Sequence, residues 1–176
     1  MNYGFTLQPG ETIVKVIHRS LISLVPSTFI AALLTTISVG LAYFEHVDPN
    51  RISLGRKSVA IIVLILLLIA TLMVLTAIYV YSHNVLVFTN QHLIQVEQVG
   101  LFSRTVSQVS FNREQDISSN QAGIFPSIFD YGNVTVQSAG ENVYFVFRYA
   151  PDPEAVSNEA IATNEATMGN SGQGLG

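Results

Sequence analysis

The stretch VAIIVLILLLIATLMVLTAIYVY, Val59 to Tyr81, decides how the rest of the chain is organised. About 23 residues pass without a charged side chain, and at 1.5 Å of rise each a helix of that length covers roughly 34 Å. That matches the hydrocarbon core of a bilayer with room for a little tilt. A helix satisfies its backbone N–H and C=O groups internally, which lipid demands because it offers no hydrogen bonds of its own. The stretch therefore reads as a membrane span, with a buried core helix of a soluble protein as the weaker alternative.

Upstream lies a second apolar run, Leu21 to Phe44, LISLVPSTFIAALLTTISVGLAYF. Its serines and threonines can bond back to carbonyls one turn earlier and so cost little in lipid. Pro26 stands near its start, where a missing N–H is best tolerated. Ala31, Ala32, Thr35, Thr36 and Gly40 suit a face packed closely on another helix. The run is too long for a cleavable leader and ends without a small-x-small site. Only EHVDPNRISLGRK separates the two runs, with Asp48-Pro49-Asn50 as a turn signal, so they form an antiparallel hairpin with both chain ends on one side. The loop carries Arg51, Arg56 and Lys57 against Lys15 and Arg19 before the first run, a margin too small to fix the orientation.

Composition agrees with lipid: 49% of the 176 residues are hydrophobic and 11% charged, where soluble domains carry about 25% charged residues. The absence of cysteine removes disulfides, thiolate metal sites and cysteine nucleophiles. From Ser82 onward the only cations are Arg104, Arg113 and Arg148, against nine acidic residues. Nucleic-acid binding needs a clustered basic face, and none is available. The same deficit weakens attraction to anionic headgroups.

Past the second run the period changes to two. NVLVFT (Asn84–Thr89), HLIQVEQV (His92–Val99), LFSRTVSQVSF (Leu101–Phe111), NVTVQSA (Asn133–Ala139) and NVYFVFRYA (Asn142–Ala150) read as five strands of a small antiparallel sheet or barrel. Asn112–Gly132 reads as irregular or partly helical, anchored by Ile117, Ile124, Phe125, Ile128 and Phe129. At the N-terminus, ETIVKVIHRS fits either a short helix or a strand pairing with the later domain. Pro151-Asp152-Pro153 opens a short helix through Val156. The residues from Ser157 onward, rich in Gly, Ser, Asn and Gln, show no apolar face and read as a disordered tail. The expected parts are thus an N-terminal segment 1–20, a transmembrane hairpin 21–81, a β-domain 82–156 and a tail 157–176.

This order resembles the bacterial membrane-anchored PH-like domain proteins, two helices followed by a compact β-domain. LQPGE (Leu7–Glu11) looks like that family's N-terminal signature, followed by His18-Arg19 ahead of the first helix. VFTNQHLIQVEQVGLFSRT (Val87–Thr105) is similar to its central hairpin, and Val109–Gly140 to its Q-D-I … Y-G-x-V … A-G block. The resemblance implies an α+β membrane protein: a two-helix transmembrane hairpin, then a small antiparallel β PH-like domain with a short C-terminal helix, facing the cytoplasm. It also implies self-association into a homo-oligomer. Phosphoinositide binding does not carry over, because the hairpin Asn84–Thr105 offers only Arg104 where such domains use several basic residues.

No catalytic, cofactor or metal site is expected. His18, His46, His83 and His92 have no ligand spacing and no cysteine partners. Glu114 and Asp116 diverge at i and i+2, which suits a solvated turn better than an acid–base pair. No phosphate-binding glycine motif and no nucleophile elbow occur. Most aromatics serve the core of a small domain. The candidate interaction surface is Phe125 and Phe129, an apolar loop tip for lipid or a partner's groove, with Arg104 and Arg113 to grip an acidic peptide or headgroup. The functional reading is a non-enzymatic scaffold or assembly platform, integral to the bilayer, with protein partners or copies of itself. The alternatives are a headgroup-sensing regulator and an accessory subunit of a membrane or export complex.

Overall fold

A computed structural model describes residues 6–47, 55–111, 115–138 and 144–172. The chain forms two units, residues 24–79 and a second assembled from residues 1–23 and 80–176.

The first unit is helical. A single 3-10 turn, Leu21–Leu24, leads into α1 (Val25–Val47), and α2 spans Arg56–His83. Both α1 (with its 3-10 turn) and α2 are long and apolar enough to cross a membrane. Pro26 is the second residue of α1, where no intrahelical donor is lost. The helices run antiparallel: residues 28–35 of α1 and 67–75 of α2 line a shared groove of about 460 Å³, and Arg56 Nε lies 3.4 Å from Glu45 Oε1. The covered positions of α1 include Ser27, Ala31, Leu34, Ser38 and Leu41, and those of α2 Val59, Val63, Leu66, Ala70, Met73 and Ala77. Spacings of three and four along both helices are those of a coiled-coil seam. Of the small-residue face expected at Ala31, Ala32, Thr35, Thr36 and Gly40, Ala31 is buried, Gly40 is half-buried, Ala32 and Thr35 line the groove shared with α2, and Thr36 is exposed. The hydroxyls behave as expected. Thr28, Thr35, Thr36, Ser38 and Thr71 each donate to a carbonyl four residues earlier, at 2.8–3.0 Å.

Among the described residues the second unit holds seven strands rather than five. β1 (Ile13–His18), β2 (Val85–Thr89), β3 (His92–Val99) and β4 (Ser103–Ser110) make an antiparallel sheet in that order. β5 (Gln115–Asn120), β6 (Tyr131–Ser138) and β7 (Tyr144–Pro151) make the second sheet. The N-terminal alternatives resolve to a strand: β1 pairs with β2, His18 opposite Val85 and Ile17 opposite Leu86. The β-unit therefore includes residues ahead of the first helix, not only those after Ser82.

The main core lies between the sheets, with Leu86, Phe88, Leu93, Val109 and Phe111 from one and Val134, Val136, Phe145 and Phe147 from the other. Gln95 sits on that inner face and donates to the Val146 carbonyl at 3.2 Å. On the opposite face of the first sheet Val85, Val87, Ile94 and Val96 form a smaller buried cluster with Val16 beside it. β2 is buried on both faces, which explains its nearly continuous apolar sequence.

Two expectations along the C-terminal half need correction. The stretch 112–132 is partly helical as expected, with a short helix α3 (Ile124–Phe129), but it also contains a strand that was not expected, β5. The expected tail from Ser157 is helical: α4 runs Pro153–Gly172 and packs on all three strands of the second sheet. Asp152 starts α4, accepting the Ala155 N–H on Oδ1 at 3.0 Å, with Pro153 as the first helical residue. Val156 and Ala160 enter the main core, and Ser157 and Asn164 are buried on the same stripe.

Candidate interaction surface

The sequence LQPGE becomes a built device at one rim of the β-unit. Pro9-Gly10 form a turn in which the Glu11 N–H donates to the Gln8 carbonyl at 2.9 Å, with Gly10 at φ +84°. Pro at the second and Gly at the third turn position is the type II pattern, which needs a positive φ there. The turn delivers Glu11 to the β2–β3 turn. Its carboxylate accepts the Thr89 hydroxyl at 2.6 Å and the Gln8 N–H at 2.8 Å, and lies 2.9 Å from His92 Nδ1. Burial alone pushes the Glu11 carboxyl up, but the bonds from Thr89, Gln8 and His92, with the His92 charge, outweigh it and leave the pKa below its usual value. Asn90 completes the clamp, accepting the Thr12 N–H at 2.9 Å and donating to the Gly10 carbonyl at 3.2 Å. His92 is thus a structural partner, and the described residues contain no group of side chains arranged to hold a metal.

Arg19 follows β1 and is largely buried. Its Nη2 reaches Glu97 Oε1 at 3.1 Å, while its Nε has no partner. Desolvation lowers its pKa, the Glu97 carboxylate opposes that fall, and the Arg148 charge adds to it. A guanidinium so placed ties the end of β1 to β3.

Asn84 is the other polar residue of this region. Fully buried where the chain enters β2, it donates to the Val80 and Gln98 carbonyls at 2.6 and 3.0 Å and accepts the Gln98 N–H at 3.1 Å. An amide with three bonds is close to satisfied.

Of the four residues expected to form an interaction surface, Phe125 and Phe129 are exposed on α3 and Arg104 is exposed on β4. Arg113 lies outside the described residues. Ile124 and Ile128 are exposed beside the phenylalanines, so among the anchors expected between 112 and 132 only Ile117 packs on the core. A further apolar protrusion was not foreseen: at the β3–β4 turn Phe102 is 98% exposed, with Leu101 and Val99 half-exposed beside it. Two residues later comes Arg104. The signal was there in LFSR, where two large apolar residues follow the turn glycine Gly100, at φ +76°.

This arrangement of two packed antiparallel sheets with a C-terminal helix agrees with the comparison to known families. The profile of the bacterial PH domain matches residues 20–162, most of the chain. The chain belongs to the bacterial PH domain family. No curated protein and no solved structure matches it. The family match begins at Ser20, so β1 and the Glu11 clamp lie ahead of the matched segment, although β1 is an integral strand of the first sheet of this bacterial PH domain.

Proposed function

We propose that the chain is a non-enzymatic, membrane-anchored scaffold: two transmembrane helices holding a PH-like module at the cytoplasmic face, where it assembles with protein partners or with copies of itself. The observation that supports the anchored part is the pair of long apolar helices, Leu21–Val47 and Arg56–His83. β1 precedes the first and β2 follows the second, and the two strands are bonded to each other, so two spanning helices would form a hairpin with both strands on one side of the bilayer. The pairing supports the hairpin independently of the narrow count of positive charges. β4 supports the assembly role. It is an eight-residue strand at the edge of its sheet among the described residues, in register with β3 and carrying the polar alternation Ser103, Thr105, Ser107. Such an edge suits strand addition by a partner. The headgroup-sensing alternative has less support, since Arg104 is the one cation that the sequence offers between Asn84 and Thr105.

Extraction of the full chain in mild detergent, followed by native mass measurement, tests the scaffold reading. A stable oligomer or a stoichiometric hetero-complex is the expected result; a bare monomer without co-purifying protein would sink it. Cysteines introduced at Asp116 and Glu154 test the orientation. They should resist an impermeant thiol reagent applied to intact cells.

A further inference from the structure

We propose that the β3–β4 turn and α3 insert together into the interfacial region of the bilayer leaflet from which the two apolar helices descend. The inference rests on the anchored reading above and adds a second, peripheral mode of attachment.

The two protrusions belong to one rim of the β-unit. His18 pairs with Val85 and Val85 with Val96, so the end of β1, the start of β2 and the end of β3 lie side by side. The turn Gly100–Phe102 follows directly from β3. From the other sheet, the Tyr149 carbonyl accepts the Ser20 N–H at 2.7 Å, and the Tyr149 ring stacks on Tyr131 at 5.7 Å. The Asp152 N–H donates to the Asp130 carbonyl at 3.0 Å, and Asp130 caps the C-terminus of α3. This chain of short contacts brings the end of α3 to the rim where residues 20–23 and 80–84 leave for the apolar helices.

The chemistry of both protrusions suits lipid. α3 has four large apolar residues in six, none buried, and Ile124 is 77% exposed. Polar bonds hold the helix in place: Gln121 Nε2 donates to the Pro126 carbonyl at 2.8 Å, and Ser127 Oγ to the Gly123 carbonyl at 2.9 Å. The apolar side chains are therefore left facing outward by a helix fixed without them. Neither Val99–Val106 nor Gln121–Phe129 contains a carboxylate, the group an anionic surface would repel. Arg104 can lay its methylene stem along the apolar surface and keep its guanidinium at headgroup level. Exposed clusters of this kind are uncommon on soluble domains and mark lipid or protein contacts. Continuity with the membrane helices selects lipid.

The chain has no cysteine, which makes single-site labelling direct. Full-length Phe102→Cys and Ile128→Cys variants carry a nitroxide after reconstitution in phosphatidylcholine–phosphatidylglycerol vesicles. Gln137→Cys, near the far end of β6 from α3, reports the aqueous reference, and Leu68→Cys, exposed on α2, the hydrocarbon reference. The ratio of collision with oxygen to collision with a water-soluble nickel chelate should be several-fold higher at 102 and 128 than at 137. Ratios at 102 and 128 equal to that at 137, with Leu68 still lipid-like, would overturn this inference alone. Shielding from both agents would assign the surface to a second copy and overturn it too. A water-like ratio at Leu68 would remove the anchored reading and this inference with it.

Discussion

The two rims of the β-unit are made from opposite materials. At the β2–β3 turn, polar side chains converge: Glu11, Thr89, Asn90 and His92 meet the backbone of the N-terminal turn, and Glu11 is buried within that network. At the β3–β4 turn and α3, large apolar side chains stand exposed, over a frame secured by buried Asn84 and by the capping bonds of Gln121 and Ser127. The first rim converts its residues into stability. The second keeps its most hydrophobic residues out of the fold, which makes them available to something else.

Breaking the first rim should have the largest effect. Glu11→Ala removes the carboxylate that joins the Thr89 hydroxyl, the Gln8 N–H and His92, although Thr89 keeps the His92 carbonyl as an acceptor, and should cost about 1–3 kcal/mol of unfolding free energy in detergent. Next comes Gly132, beside α3. A Cβ there would lie 2.5 Å from the Asn120 carbonyl oxygen and 2.9 Å from Pro153 Cγ, so Gly132→Ala should cost about 1–3 kcal/mol by the same measurement.

A smaller effect follows from pH. The folded Glu11 carboxyl titrates below its unfolded value of 4.5, so its contribution is complete above that value and disappears as pH falls through the folded pKa. A melting-temperature series should show the decline below about pH 4.5 in the parent, and a shallower one in Glu11→Gln. The smallest effect belongs to the apolar rim. Phe102→Ser should change stability by no more than about 0.5 kcal/mol. A loss of several times that amount would mean the side chain packs in the fold and would end the contrast between the rims.

The features most legible in sequence were those with long, uniform periods. Two apolar helices and the strands from Val85 to Ser110 follow from run length and alternation alone. β1 stayed ambiguous because six residues with Lys15 and His18 among apolar ones fit either period, and its partner lies across the whole helical unit. α4 was missed for a different reason. Its buried stripe is Val156, Ser157, Ala160 and Asn164, correctly spaced for a helix but built mainly from small and polar residues, so no hydropathy pattern announces it. The Glu11 clamp was visible as LQPGE, yet the role of that motif depends on a turn about 80 residues away that no local pattern indicates. On the apolar rim, Phe125 and Phe129 were legible because four apolar residues flank a proline between glycine and aspartate, while Phe102 was hidden inside what looked like an unbroken strand.

The pairing of β1 with β2 has a consequence for biosynthesis. The ribosome releases β1 first, and its partner β2 follows only after both apolar segments have been made. β2, β3 and β4 can pair as a local meander, but the β1 edge of the sheet waits for a strand made before the helices. On the anchored reading proposed above, β1 and β2 share one side of the bilayer only when both segments have crossed it.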